Sequence, residues 1–178
     1  MSTLTGKKIA ILATDGFEQV ELTKPKAALE EAGATVHVVS PEAGSIKGWD
    51  KTDWGQAIDV DVSLEEATAG TYDALVLPGG QINPDKLRIE EKAISFIKTI
   101  GQQNKPIAAI CHGPWTLIEA DLVRGKTMTS FPSIKTDLKN AGAEWVDKEV
   151  VVDQGIITSR NPDDIPAFNK AMIEEFAK

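Results

Sequence analysis

The amino-acid sequence predicts an α/β sandwich that is built on a mainly parallel sheet. Short apolar runs that suit buried strands alternate with longer helix-like segments along the chain. The strand-like runs are almost continuously apolar, which is typical of parallel strands that helices cover on both faces. With 178 residues, 42% of them hydrophobic, the chain can bury the core of one ordinary domain. We therefore expect a single domain over residues 1–178.

The amino-terminal part is predicted to contain two strands and one helix. Residues 8–13 form the first predicted strand, and a helix follows over about 18–32. Gly33 ends this helix, because glycine readily adopts the left-handed conformation found after helices. The β-branched residues of 35–39 predict the second strand. The stretch 41–62 contains three glycines and two tryptophans and is expected to be an insertion on the surface of the domain, for which a small antiparallel element is one candidate structure.

The middle of the chain repeats the strand–helix alternation twice. Residues 72–77 are a predicted strand, which Pro78-Gly79-Gly80 ends, and a helix is expected over about 88–103. Residues 107–110 form a short buried strand, and a helix over about 113–123 follows it directly. Consecutive strands joined by helices favour parallel pairing in one sheet.

The carboxyl-terminal third changes character. A strand over 126–130 and a helix over 133–141 are followed by an expected hairpin, whose two strands, 149–153 and 156–159, flank a Gln-Gly turn. The last helix is predicted to begin near Asp163, a good N-cap residue. Four of its residues recur at helical spacing and are expected core contacts: Ile165, Phe168, Met172 and Phe176.

Composition excludes several classes of function. The chain carries 19 basic and 27 acidic side chains, a formal charge of −8, and its isoelectric point is near 4.8. This balance argues against binding to nucleic acids or anionic membranes, because both need a cationic face. No apolar run approaches the roughly 20 residues of a membrane span, and the amino terminus has no export signal. We therefore expect a cytoplasmic protein.

Cysteine and histidine are scarce. Cys111 is the single cysteine, which excludes an intramolecular disulfide and any multi-cysteine metal site. His37 and His112 are the two histidines, so a zinc site would need mostly carboxylate ligands. We expect no metal.

The segment Ala109-Ile-Cys-His-Gly113 predicts a nucleophile elbow. It joins a buried strand to a helix and places small residues on either side of a central cysteine. The turn is sharp, so bulky residues at 109 or 113 would collide with the strand or the helix. Amide groups at the helix amino terminus favour a thiolate. A buried structural cysteine is the alternative.

A nucleophilic cysteine needs a base. His37 lies mid-strand between valines, as a core histidine would, so His112 is the candidate base. No histidine follows His112, which excludes a mechanism that uses a downstream histidine. An acidic group is expected to orient His112. Glu18 and Asp85 are the best placed carboxylates, because both follow predicted parallel strands.

The glycines after residue 77 and the tryptophan after the elbow complete the candidate site. Gly79 and Gly80 end a strand and permit close approach of backbone to a ligand, although a plain turn explains them equally well. Beside Cys111 they become a candidate wall whose N–H groups stabilise an oxyanion. Gly113 at the elbow is grouped with them, and Trp115 is expected near the mouth of the site.

Four segments together resemble the PfpI family of the ThiJ/PfpI superfamily. They are Asp15-Gly-Phe-Glu-Gln-Val-Glu-Leu22, Leu77-Pro-Gly-Gly80, Ala109-Ile-Cys-His-Gly-Pro-Trp115 and Ser159-Arg-Asn-Pro-Asp-Asp164. The resemblance covers residues 7–176 in the family's order and spacing. It implies a flavodoxin-like three-layer sandwich with a cysteine nucleophile elbow, usually assembled as a homodimer or a higher homo-oligomer.

The resemblance also implies roles for residues. The family nucleophile corresponds to Cys111 and the following histidine to His112. The family's protonated carboxyl that hydrogen-bonds the thiolate corresponds to Glu18, and the oxyanion amides to Gly80 and His112. An acidic residue that reaches the histidine of a neighbouring subunit corresponds to Asp85, where the family pattern has the longer Glu.

The activities implied are those of a cofactor-independent hydrolase of the stress response. The leading hypothesis is a glyoxalase or deglycase that acts on reactive dicarbonyls or their protein and peptide adducts, with Cys111 as nucleophile. An intracellular cysteine peptidase is the alternative. A redox sensor or chaperone that works through oxidation of Cys111 is a third, non-enzymatic possibility.

Overall fold

The protein is described by a computed structural model that covers residues 3–178. Within these residues the strands are β1 (Lys8–Leu12), β2 (Thr35–Ser40), β3 (Ser45–Asp50), β4 (Asp53–Asp59), β5 (Val62–Ser63), β6 (Ala74–Leu77), β7 (Ile107–Ile110), β8 (Thr127–Met128), β9 (Glu144–Trp145), β10 (Val151–Asp153) and β11 (Ile156–Ser159). The α-helices are α1 (Gln19–Glu31), α2 (Ile82–Leu87), α3 (Glu91–Gln102), α4 (Pro114–Glu119), α5 (Lys135–Asn140) and α6 (Ile165–Phe176).

The central sheet has seven strands in the order β10-β11-β7-β6-β1-β2-β5. Its neighbouring strands run parallel except for β10, which pairs antiparallel with β11 at one edge. The predicted α/β architecture with a mainly parallel sheet is confirmed. The carboxyl ends of β1, β6 and β7 lie side by side, where such sheets place their ligands.

Two apolar cores, one on each face of the sheet, make the fold a three-layer sandwich. In β1, Ile9 and Ile11 pack on the side of α1 and α6, whereas Ala10 and Leu12 pack on the side of α3, α4 and α5. Successive residues of a strand point to opposite faces, so a strand buried on both sides must be apolar throughout. The expected core residues of α6 are buried, as their helical spacing predicts: Ile165, Phe168, Met172 and Phe176.

The stretch 41–62 contains a two-stranded antiparallel hairpin, β3–β4, outside the main sheet. The hairpin is held at the rim of the sheet because the amide of Trp49 donates to the carbonyl of Phe17 at 2.7 Å. The small antiparallel element that the sequence suggested for this insertion is therefore observed.

Several predicted elements differ from the observed ones. The expected strand over 126–130 is reduced to β8, which pairs with β9 in a separate small sheet. Helix α2 lies where no helix was predicted, because its six residues are too short to show a periodicity. The expected N-cap Asp163 does not cap α6. Instead, the side chain of Asn161 accepts from the Asp163 amide at the 3₁₀ turn that precedes the helix.

The carboxyl-terminal hairpin is observed as predicted. Gln154 and Gly155 have φ values of 50° and 78°, which suits the tight turn between β10 and β11. None of the helices within residues 3–178 has the length and apolar character needed to cross a membrane.

Candidate active site

Cys111 lies at a sharp turn between β7 and α4. Its φ is +63°, in the left-handed region that residues other than glycine seldom adopt. Backbone hydrogen bonds hold the turn on both sides, since the Cys111 amide donates to Ser159 O at 3.0 Å and its carbonyl accepts from the Phe131 amide at 2.9 Å. Strain of this kind persists where the surrounding structure fixes the backbone, as it does at many catalytic sites.

Gly113 makes the turn sterically possible. A Cβ atom at this position would lie 2.5 Å from Leu77 O and 2.9 Å from Ile110 O. Both contacts are with backbone, so no side-chain movement can relieve them. The geometry explains physically why a small residue stands on this side of the cysteine.

An imidazole nitrogen and two backbone amides lie close to the Cys111 sulfur. His112 Nδ1 is 3.2 Å away, and the amides of Gly80 and His112 hydrogen-bond the sulfur. Burial raises the pKa of the Cys111 thiol, and an ionised Glu21 raises it further, whereas the two amides lower it. The side chain is only 6% exposed.

Glu21, on the first turn of α1, is the carboxyl group in contact with the thiol. It is fully buried, hydrogen-bonds Cys111, and accepts from the Gly79 amide through Oε2 at 2.8 Å. Burial raises its pKa to about 8. Glu21 is therefore predominantly protonated at neutral pH and able to donate a hydrogen bond to sulfur.

This arrangement corrects the placement of the thiol-binding carboxyl at Glu18. Glu18 precedes α1 and lines the same pocket, but its Oε1 accepts from the Lys51 amide at 3.2 Å. One helical turn separates the two residues, and Glu21 faces the sheet interior because it shares a face with the buried Leu22 and Pro25. Burial raises the pKa of Glu18, although it is more exposed than Glu21.

His112 is held between aromatic rings and a hydroxyl group. Its Nε2 lies 3.1 Å from Ser133 Oγ. The imidazole stacks on Phe131, with centroids 4.8 Å apart, and meets Trp115 edge to face at 5.1 Å. Burial lowers the pKa of His112, so the ring is neutral and able to accept a proton at neutral pH.

Within one chain, no carboxyl group hydrogen-bonds a ring nitrogen of His112 among its described contacts, and the resemblance assigns Asp85 to the histidine of a neighbouring subunit. Asp85 lies on the exposed side of α2 and is not among the residues that line the pocket. The two ring nitrogens of His112 face Cys111 and Ser133 instead. Short polar residues such as Ser133 carry no sequence signal for this position, so the sequence could not single it out.

The three glycines expected to bind an oxyanion differ in what their amides do. The Gly79 amide donates to Glu21, and the Gly113 amide donates to Ile110 O at 2.9 Å. Gly80, with φ +78°, presents its amide to the Cys111 sulfur. Gly79 and Gly113 therefore shape the site, and the candidate oxyanion donors are the amides of Gly80 and His112.

Cys111 opens into a pocket of about 520 Å³ at the carboxyl ends of the strands. Its lining residues are Gly16, Glu18, Glu21, Trp49, Lys51, Gly80, Gln81, Ile82, Cys111, His112, Phe131 and Pro162. Trp49 and Lys51 come from the β3–β4 hairpin, which the sequence marked only as an insertion. Trp115 lies behind His112 and is not part of the lining.

The other histidine is structural. His37 Nδ1 lies 3.1 Å from the hydroxyl of Tyr72, away from the pocket. Across the part of the chain that the structure describes, no three His, Cys, Asp or Glu side chains form a group that could hold a metal ion.

These groups suit nucleophilic addition to a small carbonyl compound. A thiol can act as nucleophile, a neutral imidazole can accept its proton, and a protonated carboxyl and two amides can stabilise negative charge.

Comparison with known proteins gives consistent matches. The sequence profile of the DJ-1/PfpI family matches residues 7–175. Among curated proteins, the "Putative cysteine protease YraA" of Bacillus subtilis is 46% identical over 165 residues, which is 92% of this chain and 95% of the relative. "Protein/nucleic acid deglycase 2" of Escherichia coli is 46% identical over 167 residues, which is 92% of this chain and 94% of the relative.

Solved structures share the fold. DJ-1beta of Drosophila melanogaster superposes with a TM-score of 0.87 at 30% identity, and the match covers 96% of this chain and 90% of the Drosophila chain. A two-domain protein of Anabaena variabilis, with DJ-1/ThiJ/PfpI-like and ferritin-like domains, gives a TM-score of 0.88 at 39% identity. That match covers 94% of this chain and 47% of the Anabaena chain.

Proposed function

Because this chain belongs to the DJ-1/PfpI family, we propose that it is a cofactor-independent cysteine hydrolase of the glyoxalase or deglycase type. Its substrates are reactive dicarbonyls or the adducts that they form. The observation that carries the proposal is the position of Cys111 at the floor of a pocket, with His112 Nδ1 3.2 Å from its sulfur. A nucleophile and a base at this separation can exchange a proton directly.

The first step is addition of the Cys111 sulfur to an aldehyde carbon. His112 Nδ1 takes the thiol proton, the S–C bond forms, and the carbonyl π electrons move to oxygen. The amides of Gly80 and His112 stabilise the resulting oxyanion, which then takes a proton to give a hemithioacetal.

The next steps move one proton between two carbons. For methylglyoxal, a base removes the proton from C1 of the hemithioacetal, and the enediolate takes a proton at C2. His112 or Glu18 performs these transfers, since both line the pocket. Water then hydrolyses the thioester, which releases lactate and the free thiol.

The names of relatives support this substrate class. The E. coli relative is named as a protein and nucleic acid deglycase, and a relative from Thermococcus kodakarensis, 42% identical, is named as a deglycase. A B. subtilis relative is named general stress protein 18. We therefore include dicarbonyl adducts of proteins and of nucleic acids among the substrates to be tested, although the acidic composition predicts no lasting binding to nucleic acid.

Conversion of methylglyoxal to lactate tests the proposal directly. We expect wild-type protein to release lactate and Cys111→Ala to lose at least about 10²-fold in rate, because the covalent pathway is removed. Ser95→Ala, an exposed serine on α3, serves as a matched control that retains full activity. Equal rates for wild type and Cys111→Ala would overturn the proposal.

Peptidase activity is the second candidate. It is favoured by the name of the B. subtilis relative and by Asp85, which is exposed on α2 where a neighbouring subunit could contact it. A peptidase that uses Asp85 across a subunit interface would lose peptide cleavage on dissociation or on Asp85→Asn. Retention of dicarbonyl conversion by Asp85→Asn would favour the leading proposal.

A further inference from the structure

We propose that Ser133 positions His112 and carries the proton of the Cys111 thiol from the imidazole to solvent. This inference rests on the proposed function, because it assigns a role within the same thiol chemistry.

Two contacts of the imidazole link the Cys111 thiol, the His112 ring and the Ser133 hydroxyl group in a row. His112 Nδ1 lies 3.2 Å from Cys111 Sγ, and Nε2 lies 3.1 Å from Ser133 Oγ. Stacking on Phe131 fixes the plane of the ring. The bond to Ser133 then fixes which nitrogen faces the sulfur, because a ring flip would break both polar contacts.

Backbone contacts on both sides of Ser133 hold its segment in place, although its side chain lies at the surface. The preceding Phe131 donates its amide to Cys111 O at 2.9 Å, which ties this segment to the nucleophile. The ring of Pro132 fixes that residue's own φ angle, and on the other side of Ser133 the side chain of Ile134 is buried. Ser133 itself is exposed, so its hydroxyl group can reach water as well as the imidazole.

A hydroxyl group suits this position because it both donates and accepts. When the S–H bond breaks, the proton bonds to Nδ1 of His112. The Nε2–H bond then breaks, its proton bonds to Ser133 Oγ, and the hydroxyl gives its own proton to water. Charge and protons balance, since one proton passes from the thiol to solvent and the imidazole ends neutral.

The charged groups around this path come from several elements. Glu21 reaches it from α1 through the thiol, and Glu18 and Lys51 line the pocket. Two more act through Trp115, because Arg88 lies over its ring at 5.1 Å and Asp137 accepts from its indole nitrogen at 2.8 Å. None of these five side chains forms a hydrogen bond with an imidazole nitrogen among the described contacts of His112.

Alkylation of the unique cysteine tests the inference without any substrate turnover. The rate of reaction with iodoacetamide is measured from pH 5 to pH 10 for wild type, Ser133→Ala, Ser133→Thr and the control Ser95→Ala. We expect Ser133→Ala to react about fivefold more slowly near neutral pH, as for loss of one neutral hydrogen bond. Its rate should stay below that of wild type across this range, because the imidazolium that forms when the thiol ionises loses the hydrogen bond from its Nε2–H to Ser133 Oγ, and Ser133→Thr should restore the wild-type profile.

A double-mutant cycle shows whether Ser133 acts through His112. In a His112→Ala background, Ser133→Ala should have no further effect on alkylation. The inference is overturned if Ser133→Ala matches wild type at every pH, or if it slows alkylation equally with and without His112.

Turnover separates the two proposals. With methylglyoxal, Ser133→Ala should lower kcat about fivefold and leave KM unchanged, because Ser133 does not line the pocket. If wild type converts no dicarbonyl, the proposed function fails, while the alkylation profiles still decide the role of Ser133.

Discussion

The ionisation of Glu21 is strongly linked to folding. Its carboxyl group is fully buried and lies beside the Gly79 amide and the Cys111 thiol. A charged carboxylate at this depth loses its hydration, so the neutral form is favoured and the pKa rises to about 8. The protonated form is able to donate a hydrogen bond toward the neighbouring sulfur, which links stability and thiol chemistry at one side chain.

We expect this linkage to make the protein less stable as pH rises through the interval between the two pKa values of Glu21. The unfolded carboxyl has a pKa of 4.5 and the folded one a pKa of about 8. Between these values the folded state binds the additional proton, so the free energy of unfolding falls by about 1.4 kcal/mol per pH unit. The full effect is on the order of 5 kcal/mol, present below pH 4.5 and lost above pH 8.

Glu21→Gln should remove this slope, since the amide cannot ionise. Urea unfolding at half-unit pH steps measures it, with Glu31→Gln, an exposed position on the same helix, as control. Burial lowers the pKa of His112 and contributes the opposite slope in both proteins, so the difference between wild type and variant isolates Glu21. Identical slopes in wild type and Glu21→Gln would contradict the assignment.

At the scale of elements, the β7–α4 connection shows how packing dictates sequence. The helix begins at Pro114, one residue beyond a glycine that is packed against the backbone of β6 and β7. Proline suits the first position of a helix because its missing N–H has no helical partner there. The strained cysteine is thus held between a rigid strand and a preformed helix start.

Gly113→Ala should destabilise the protein by about 1–3 kcal/mol, because the added methyl group overlaps two carbonyl oxygens. The displaced elbow should also slow alkylation of Cys111. Gly70→Ala is the matched control, since its nearest neighbour would be Gln103 Nε2 at 3.9 Å. Urea midpoints measure both variants, and a Gly113→Ala protein as stable as Gly70→Ala would show that the turn relaxes.

At the scale of the whole molecule, the pocket draws on segments that are distant in sequence. Pro162, on one wall, follows Arg160, which ties the segment after β11 to the rest of the structure. Its guanidinium donates to both oxygens of Asp164, at 2.8 Å and 2.9 Å, and to Asp147 at 2.8 Å. These contacts raise the pKa of Arg160.

We expect Asp164→Asn to lower the urea midpoint and to raise KM for dicarbonyls more than it lowers kcat, because the wall at Pro162 loosens while the thiol is untouched. Asp121→Asn is the matched control. It weakens an exposed pair with Arg124 at 3.9 Å, and such surface pairs contribute little. Equal midpoints for the two variants would show that the Arg160 contacts do not hold this wall.

The sequence by itself determined the architecture and the elbow at which the candidate nucleophile Cys111 lies. Runs of apolar residues such as 107–110 can be buried on both faces only in a covered parallel sheet. An elbow is marked by a strand, small residues on either side of a cysteine, and a helix that follows directly. The small residues are required because bulky ones would collide with the strand or the helix. Periodicity and turn chemistry are local, so they can be recognised in the chain alone.

The tertiary structure decided which side chains meet. Glu18 and Glu21 follow the same strand, and only the packing of α1 against the sheet selects Glu21 as the carboxyl beside Cys111. Ser133 lies 21 residues beyond His112, and its contact with Nε2 arises because the Phe131 amide bonds the Cys111 carbonyl. These pairings depend on long-range backbone contacts, which leave no periodic or compositional mark on the sequence.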